Sequence, residues 1–432
     1  MNKLKFINHS SFNITNGKVS LSVDPWIEGL VFNNSWSLLS KTPEKCIETV
    51  KNSDYIWFSH EHPDHFNPPD VKLFGKNKKF LFQKTKDKRV INFLRKFSSD
   101  VKELNISDNF NLDNNFSIKV MPFQDLDSFC IIKIGSKIIL NLNDCHIKNH
   151  NELNEIKLRA GDVDILMAQF SYAIGKSNKD QQDERKKISN EILVNLNKTI
   201  SFFKPKHFIP FASFCYFSRH DNFYLNDSMN KIDNTINFLK RNNPDVNFVC
   251  LYPGDEWNLE NNINNDNAIN KYLNDYKNIS PYEIENKKIE ITDLQLVANK
   301  FIKNTILNNN LFKFYEFIDP NSYKICFKLT DINSYFSFNF KDGLTKINNV
   351  NNDLQICKLT SDSLYQLFSS GYGYDALMIG GRFEANFACN KSLNKIFKFQ
   401  TKNYQNQYYN LKDIISKLIK KISKFSRVNP SR

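Results

Sequence analysis

The sequence has little that would take the chain into or across a membrane. It contains no apolar run of about 18 residues, the length that a membrane-spanning helix needs, and Met1–Ser20 is too polar and interrupted for a secretory signal. Its eight cysteines are scattered, and no two of them form a C-x-x-C pair. We therefore expect a cytoplasmic protein with buried free thiols. The lack of paired Cys and His motifs also excludes a Rieske iron–sulfur cluster within these residues.

Glycine is scarce as well, at 12 residues, whereas lysine is abundant and the net charge is +13. Part of that charge follows the general excess of lysine, and part is concentrated at the C-terminus. A basic surface suits phosphate-bearing substrates, anionic membranes or nucleic acid. The sequence has neither an RNA-reading motif nor a zinc finger. We therefore expect an anionic small-molecule substrate and no nucleic-acid partner.

The 432 residues suffice for two or three domains of about 100–200 residues each. We predict an α+β protein with a metal-binding domain at 1–257, a polar linker at 258–278, a smaller α+β domain at 279–402 and a basic tail at 403–432. The linker is predicted because that segment is rich in Asn and Asp and poor in apolar residues. The segment Leu359–Ala385 loosely resembles the end of the sterol-carrier-protein-like fold.

Tyr408–Arg427 has the pattern of a basic amphipathic helix, with apolar side chains on one face and Lys and Arg on the rest. Such a helix can dock on its own protein or on a second copy in a homo-oligomer. It can also lie in the interface of an anionic membrane as a peripheral contact. We favour docking, and the membrane contact stays open as the alternative.

Four residues of the kinds that bind metal ions, His60, His62, Asp64 and His65, directly follow the apolar strand predicted over Ser53–Ser59. A helical H-E-x-x-H zinc motif is excluded, because the first two histidines are two positions apart and a proline interrupts the segment. The cluster therefore predicts a loop folded around an ion at the carboxyl end of a strand. Ligands bind at that edge in α/β architectures.

Imidazole and carboxylate ligands suit one or two divalent transition metal ions such as Zn, Fe or Mn. Such an ion lowers the pKa of a bound water to near ~7 and so supplies hydroxide at neutral pH. Within the motif, Asp64 is the candidate catalytic residue, because a carboxylate can orient that water or bind a second ion.

The H-x-H-x-D-H motif resembles the metallo-β-lactamase superfamily, which implies an αββα sandwich. Ile7–Phe12 resembles the GHxSF element of the lactonase-like branch, and Asp24-Pro25-Trp26 resembles the D-P-W/F that follows it. A narrower resemblance is to the catalytic region of the CMP-N-acetylneuraminate hydroxylase family. The segments that carry it include Trp57–Asn67, Ile139–Cys145, Asp183–Lys187 and Pro210–His220.

The resemblance implies roles for the motif. In the superfamily the first two histidines bind one ion, the Asp–His pair binds the other, and a later Asp, matched here by Asp144, bridges them. Two expected histidines are absent: Gln124 stands near one place, and Ala212 occupies the other. The substitute that we predict for the second is His220, with His146 and His150 as alternatives. The predicted metal ligands are therefore His60, His62, Asp64, His65, Asp144 and His220.

Arg185 and Lys187 begin a long helix predicted over Asp183–Phe203. They can hold a phosphate or carboxylate of the substrate, although a solvated basic helix start fits the pattern equally well. His9, in the GHxSF-like element, is predicted to support a metal ligand from beneath the site.

Three functions fit these features. The first is a hydrolase that uses metal-activated water on an acylated sugar or sugar nucleotide of surface-glycan metabolism, with an N-acyl phospholipid as the alternative substrate. The second is an iron-dependent monooxygenase like the CMP-N-acetylneuraminate hydroxylases, which would need electrons from a separate protein. The third, a binding protein without catalysis, is disfavoured by the intact H-x-H-x-D-H motif.

Overall fold

Each of the two units of the chain has a core of its own. The first unit comprises residues 1–173, 182–218 and 223–281, and the second comprises residues 174–181, 219–222 and 282–432. The structure of the protein, a computed structural model, describes residues 2–74, 78–106, 108–124, 127–172, 175, 177–284, 287–309, 323–348, 356–408 and 410. Apart from Tyr408 and Asn410, the predicted amphipathic tail helix lies outside the described residues.

The strands of the first unit form two seven-stranded sheets and one two-stranded pair. They are β1 (Lys3–Asn8), β2 (Ser11–Thr15), β3 (Ser20–Val23), β4 (Trp36–Leu38), β5 (Tyr55–Phe58), β6 (Lys79–Gln83), β7 (Val101–Leu104), β8 (Asn109–Asp113), β9 (Phe116–Phe123), β10 (Asp127–Ile134), β11 (Lys137–Asn141), β12 (Ile165–Gln169), β13 (His207–Phe211), β14 (Cys215–Phe217), β15 (Asn247–Phe248) and β16 (Glu256–Trp257). β5 and β13 are nearly continuous apolar runs, as expected for strands that are covered on both faces.

Both large sheets are part antiparallel and part parallel. The first has the strand order β16-β1-β2-β3-β5-β6-β7 and becomes parallel from β3 onward. The second has the order β15-β13-β12-β11-β10-β9-β8, and its strands β11, β12, β13 and β15 are parallel. Each sheet therefore gathers several carboxyl ends of strands along one edge.

The two sheets share one hydrophobic core, to which Phe6 and Trp57 contribute from the first sheet and Ile132 and Leu166 from the second. A separate cluster joins the first sheet to the helices Glu44–Lys51, Pro68–Leu73 and Arg89–Leu94. The helices that contribute buried side chains beside the second sheet are His150–Ala160, Gln182–Phe203 and Ile232–Asn242. This layering is the predicted αββα sandwich, so the predicted fold class is confirmed.

The segment predicted as a polar linker, 258–278, belongs instead to the first unit, which extends to Pro281. Most of it is the helix Asp266–Asn278, whose Ala268 and Tyr272 are buried in the core of that unit. The linker prediction is wrong because the few apolar residues of the segment recur at helical spacing. One face of the helix packs while the rest stays polar.

The second unit has an α+β architecture around its own aromatic core. Its strands are β17 (Ile325–Leu329), β18 (Ser334–Asn339), β19 (Gly343–Ile347) and β20 (Ile356–Leu359), in the order β19-β18-β17-β20. Its helices are Ile291–Asn308, Ser361–Ser369, Gly373–Gly380 and Phe387–Tyr404. Phe301, Phe338, Phe368 and Phe397 contact one another at its centre. The resemblance to a sterol-carrier-protein-like fold stays a prediction.

None of the helices among the described residues is long and apolar enough to cross a membrane. All eight cysteines are buried and free.

Candidate metal centre

The candidate metal ligands lie in loops at the ends of strands of the first unit. The motif residues follow β5, Asp144 comes after β11, and His9 lies in the turn between β1 and β2. Residues with positive φ at these strand ends are His9 (42°), Asp24 (41°), Asn143 (49°) and Ala212 (47°). Non-glycine residues rarely adopt this conformation, and such strain tends to cluster at functional sites. The strained backbone at these strand ends therefore indicates that the functional site lies at this edge of the sandwich.

His9, Asp64 and His65 form a group of fully buried potential ligands, which we call the inner set. Asp64 Oδ2 lies 3.4 Å from His9 Nε2 and 3.5 Å from His65 Nε2. The carboxylate of Asp64 therefore stands between the two imidazoles. Its backbone is fixed as well, because the Ser10 hydroxyl donates a hydrogen bond to the carbonyl oxygen of Asp64 at 3.1 Å.

A second group, the outer set, consists of His60, His62 and Asp144, of which His62 and Asp144 are partly exposed. His60 Nε2 lies 2.9 Å from His62 Nδ1 and 3.6 Å from Asp144 Oδ2. The same Oδ2 atom of Asp144 is 3.6 Å from His65 Nε2 of the inner set. Asp144 thus lies between the two sets, in the position of a bridging ligand.

Hydrogen bonds fix which nitrogen of each buried imidazole is available for a ligand. Asp24 Oδ2 accepts from His65 Nδ1 at 2.9 Å, which leaves the Nε2 lone pair of His65 free. The Ser59 hydroxyl donates its single proton to Asp24 at 2.6 Å. It must therefore accept, at 2.9 Å, from His60 Nδ1, so the lone pair of His60 is on Nε2, which faces His62 Nδ1 and Asp144. A carboxylate behind a histidine in this way is the usual support of a metal-ligating imidazole.

Burial and neighbouring charges shift the pKa values of these groups in opposite directions. Burial acts to lower the pKa of His65, but the carboxylates of Asp144 and Asp64 outweigh it and raise this pKa to about 10. Burial acts to raise the pKa of Asp64, yet His65 and His9 hold it well below its usual range. Burial lowers the pKa of His60 to about 3, against the opposing effect of Asp144. A positive charge is thus favoured at the inner set, whether a proton or a metal ion provides it.

The residues present fit a metal ion in each set. Several ligand atoms are buried without a hydrogen-bond partner, namely His9 Nε2, His65 Nε2, Asp64 Oδ1 and Asp144 Oδ1. In the described part of the chain, the ion pairs of Asp24, Asp64, Asp127 and Asp144 are with histidines alone. Buried carboxylates without a compensating cation cost several kcal/mol each. Two atoms bound at about 2.0–2.1 Å to one ion lie roughly 3 Å apart, close to the spacing within each set.

The structure brings the predicted ligands of the motif together with Asp144, but not with His220. His220 belongs to the second unit, is largely exposed and pairs through Nε2 with Glu283 Oε1 at 3.1 Å. It is in neither set, because the chain enters the second unit at residues 219–222. Ala212 stands where the resemblance predicts a histidine, and its backbone N–H donates to the carbonyl of His9 at 3.1 Å. His9 thus lies beside that position, and its imidazole is grouped with Asp64 and His65.

The predicted substrate-binding residues have different surroundings from those that the sequence suggests. Arg185 is buried, and its guanidinium pairs with both carboxylate oxygens of Asp227, at 2.9 and 2.7 Å. It also lies over the ring of Tyr224, 5.2 Å from the centroid. Arg185 thus fixes the short 3-10 helix Phe223–Ser228 to the long helix, whereas Lys187 is exposed.

Sequence reasoning missed two functional candidates and underrated a third. Neither Asp24 nor Asp127 was predicted to belong to the site, although Asp24 stands in the D-P-W segment and Asp127 is near Gln124, where a histidine was expected. Burial and the neighbouring Asp144 raise the pKa of Asp127 to about 7. His9 was expected beneath the site, and the structure makes it a member of the inner set. The signal for His9 was its place in the GHxSF-like element.

A cavity of about 420 Å³ lies in the first unit beside the 3-10 helix. Its lining includes the aromatic rings of Tyr216, Tyr224 and Tyr276 together with the side chain of Lys231. Lys231 Nζ stands 5.7 Å from the centroid of the Tyr276 ring. The cavity therefore offers flat apolar faces, one basic group and the carboxylate of Asp227, which is paired with Arg185.

Comparison with known families agrees with the fold. Residues 3–168 match the sequence family described as "Beta-lactamase superfamily domain". The resemblance to this superfamily that the motifs predict is therefore confirmed for residues 3–168.

Among curated proteins, the chain is similar to cytidine monophosphate-N-acetylneuraminic acid hydroxylases. The protein from Danio rerio is 23% identical over 233 residues, which cover 49% of this chain and 38% of the relative. The protein from Mus musculus is 24% identical over 263 residues, which cover 56% of this chain and 44% of the relative. The chain thus spans less than half the length of either relative.

The solved structures to which the chain is similar include a metallo hydrolase, Igni18, from Ignicoccus hospitalis and CmlA, a diiron beta-hydroxylase, from Streptomyces venezuelae. Igni18 is 17% identical, with 59% of this chain and 97% of that chain covered and a TM-score of 0.43. CmlA is 14% identical, with 59% and 54% covered and a TM-score of 0.43.

Proposed function

We propose that the protein is a metal-dependent hydrolase that acts on a polar anionic substrate, an acylated sugar or sugar nucleotide. The observation that carries this proposal is the pair of ligand sets joined by Asp144, with buried imidazole and carboxylate atoms that have no hydrogen-bond partner among the described residues. Each set offers three protein ligands, which is the number that catalytic metal sites use when they keep a position for water or substrate.

The residues of the two sets and their neighbours would hold the ion and orient the water bound to it. A divalent ion held here supplies a bound water whose pKa is near ~7. Asp24 and Ser59 keep His65 and His60 in the tautomers that turn their Nε2 lone pairs to the ligand side. Asp64 Oδ1 is buried and has no hydrogen-bond partner among the described residues, so it is an acceptor that can orient a water bound to the ion. Burial of the inner set keeps bulk water away from these groups.

The tyrosine-lined cavity supports a substrate with a planar ring and an anionic group. Aromatic faces stack on nucleobases, typically at about 1–3 kcal/mol per base, and Lys231 can pair with a phosphate or carboxylate. The names of the curated relatives, which contain a cytidine monophosphate sugar, point to the same substrate class. We therefore propose a nucleotide-linked acylated sugar as the first substrate to test.

A second candidate is an iron-dependent monooxygenase. Each ligand set contains two histidines and one carboxylate, the combination that non-haem Fe(II) oxygenases use. The curated relatives are named hydroxylases. This reaction needs two electrons in addition to dioxygen, so a separate electron-donating protein would be required.

One experiment separates the two reactions. The protein is purified without added metal, its metal content is measured, and it is incubated with a panel of acylated sugars and sugar nucleotides with and without oxygen. Release of the acyl group in both atmospheres supports the hydrolase. A product that gains one oxygen atom, only with dioxygen and a reductant, supports the oxygenase. Both are refuted if all products persist in a His60→Ala/His62→Ala variant that has lost its metal.

The cavity is tested separately by the binding of cytidine monophosphate, measured by calorimetry. Lys231→Met should weaken binding about 10-fold, as expected for the loss of one charge-assisted contact of roughly 1.4 kcal/mol. The matched control is Lys271→Met, which removes a lysine that stands over Tyr252 at 5.0 Å but does not line the cavity. Equal affinity of both variants and the parent protein would remove the cavity from the substrate site.

A further inference from the structure

One carboxylate beside the outer set belongs to neither group of ligands. Asp127, the first residue of β10, has a side chain that is 23% exposed, and its Oδ1 lies 3.9 Å from His60 Nε2. That distance is too long for a hydrogen bond. Two atoms that each bind one ion at about 2.1 Å cannot be more than about 4.2 Å apart. Both atoms can therefore reach the same ion.

The backbone at Asp127 is fastened to the two loops that carry the outer set. The hydroxyl of the next residue, Ser128, donates to the carbonyl of Ser59 at 2.5 Å, directly before His60. The carbonyl of Ser128 accepts from Asn143 Nδ2 at 3.5 Å, directly before Asp144. The position of Asp127 is thus set by the same contacts that hold His60 and Asp144.

No other cation accounts for this carboxylate. Within the described residues, the ion pair of Asp127 is with His60 alone, across 3.9 Å. Asp144 adds a second carboxylate to the same neighbourhood. Two partly buried carboxylates repel each other unless a cation is shared between them. A metal ion bound by both sides would remove that cost.

We propose that Asp127 is a further metal ligand of the outer set, at the place where the superfamily resemblance leads one to expect a histidine. The outer set then contains His60, His62, Asp127 and Asp144, an equal mixture of imidazole and carboxylate. Added carboxylate shifts the preference of a site toward manganese or iron and away from zinc. The proposal rests on the metal centre put forward above, and it names the metal class that this centre should select.

The test uses the full-length protein and reads metal binding directly. Asp127→Asn should lower the affinity for Mn(II) at the outer set by at least about 10-fold, the loss that even the outer partners of metal ligands produce. Asp127→His should restore tight binding but shift the ratio of Mn(II) to Zn(II) affinity toward zinc. Asp162→Asn, which changes a fully exposed carboxylate of the same unit, is the control and should change neither value.

The Co(II)-substituted protein supplies a second readout, because its visible absorption follows the ligands of the ion and does not depend on turnover. Its spectrum should change in Asp127→Asn and not in Asp162→Asn. Unchanged metal affinity and an unchanged spectrum in Asp127→Asn, alongside metal loss in His60→Ala/His62→Ala, would overturn the role of Asp127 and leave the metal centre intact. Full metal content in the double variant, with no loss at the outer set, would instead refute the proposed centre itself.

Discussion

The inner and outer ligand sets are built from similar residues but differ in burial. His9, Asp64 and His65 are all buried, whereas His62 and Asp144 of the outer set are partly open to solvent. The inner set has the carboxylate of Asp24 behind it, and the pKa of His65 is raised to about 10, so it strongly favours a positive charge. The comparison suggests that an inner ion would be held, and that an outer ion would meet the substrate.

The two sets also differ in the group that contacts the Nδ1 atom of their buried histidine. The inner set depends on a carboxylate that is far from the water-accessible edge, because Asp24 is fully buried. His60, the buried member of the outer set, has only the neutral hydroxyl of Ser59 behind it. Neutral support leaves its imidazole a weaker donor than one backed by a carboxylate. The outer ion should consequently exchange more easily than the inner one.

The largest effect is expected for the residue that joins the two sets. Asp144→Asn removes the negative charge that lies 3.6 Å from both His60 Nε2 and His65 Nε2. Metal affinity of both sets should fall by more than the roughly 10–100-fold that the loss of an outer partner causes. Activity should fall with it. Metal analysis after dialysis against a chelator checks this, and a loss confined to one set would contradict the bridging position.

The next effect should be confined to one set. His60→Ala/His62→Ala removes both imidazoles of the outer set and leaves His9, Asp64 and His65 in place. Metal content per chain should fall to that of the inner set alone, with activity lost and the second unit still folded. His150→Ala is a suitable control, because that imidazole packs edge to face with the ring of Phe202, at 5.2 Å between centroids, and belongs to neither set. Complete loss of metal would show that the inner set does not bind independently.

A smaller loss of metal affinity is expected when Asp24, the carboxylate behind His65, is replaced. In Asp24→Asn an amide can face His65 Nδ1, which favours the tautomer that carries the proton on Nε2. Affinity of the inner set for metal should fall about 10–100-fold, with a smaller fall at the outer set, because Ser59, which contacts His60, donates to the same Oδ2 atom of Asp24. The backbone should tolerate the change, because φ is 41° at Asp24 and Asn readily adopts such values.

Asp70→Asn is the matched control for this variant. Asp70 is also a buried carboxylate of the first unit, and it accepts hydrogen bonds from Ile27 N and Asn67 Nδ2 but contacts no ligand. Competition with a coloured chelator measures both affinities. Equal losses in the two variants would mean that Asp24 acts through general stability and not through His65.

The sequence predicted the part of the site that is local. The motif from His60 to His65 directly follows an apolar strand, so its position at a strand end could be read from neighbouring residues. Asp144 could be placed by the same logic of strand and loop. The αββα sandwich was predicted from the resemblance of this motif to the metallo-β-lactamase superfamily.

The remainder depends on contacts between distant parts of the chain. Asp24 and His65 are 41 positions apart, and the order of the strands brings them together. His9 meets Ala212 for the same reason, as the turn after β1 lies beside the end of β13. His220 was chosen because it lies near the end of β13 in the sequence, but residues 219–222 belong to the second unit. Sequence proximity alone could not reveal that departure.

The basic residues at the start of the long helix fitted two interpretations in the sequence, substrate binding or a solvated helix start. Replacing one of them, Arg185, should have the smallest effect on metal binding. Its guanidinium pairs with Asp227, 42 positions away, so it is expected to stabilise the first unit and not to bind substrate. Arg185→Met should lower the unfolding free energy by about 1.5–3 kcal/mol, the range for hydrogen bonds to charged groups. This range is suitable because the side chain of Asp227 is 29% exposed and water can partly replace the lost partner.

Calorimetry on Arg185→Met should show a lower melting temperature, while the metal content of both sets and the KM should be unchanged. Lys187→Met, at an exposed position of the same helix, should change none of these values. A raised KM in Arg185→Met at an unchanged melting temperature would return Arg185 to the substrate site.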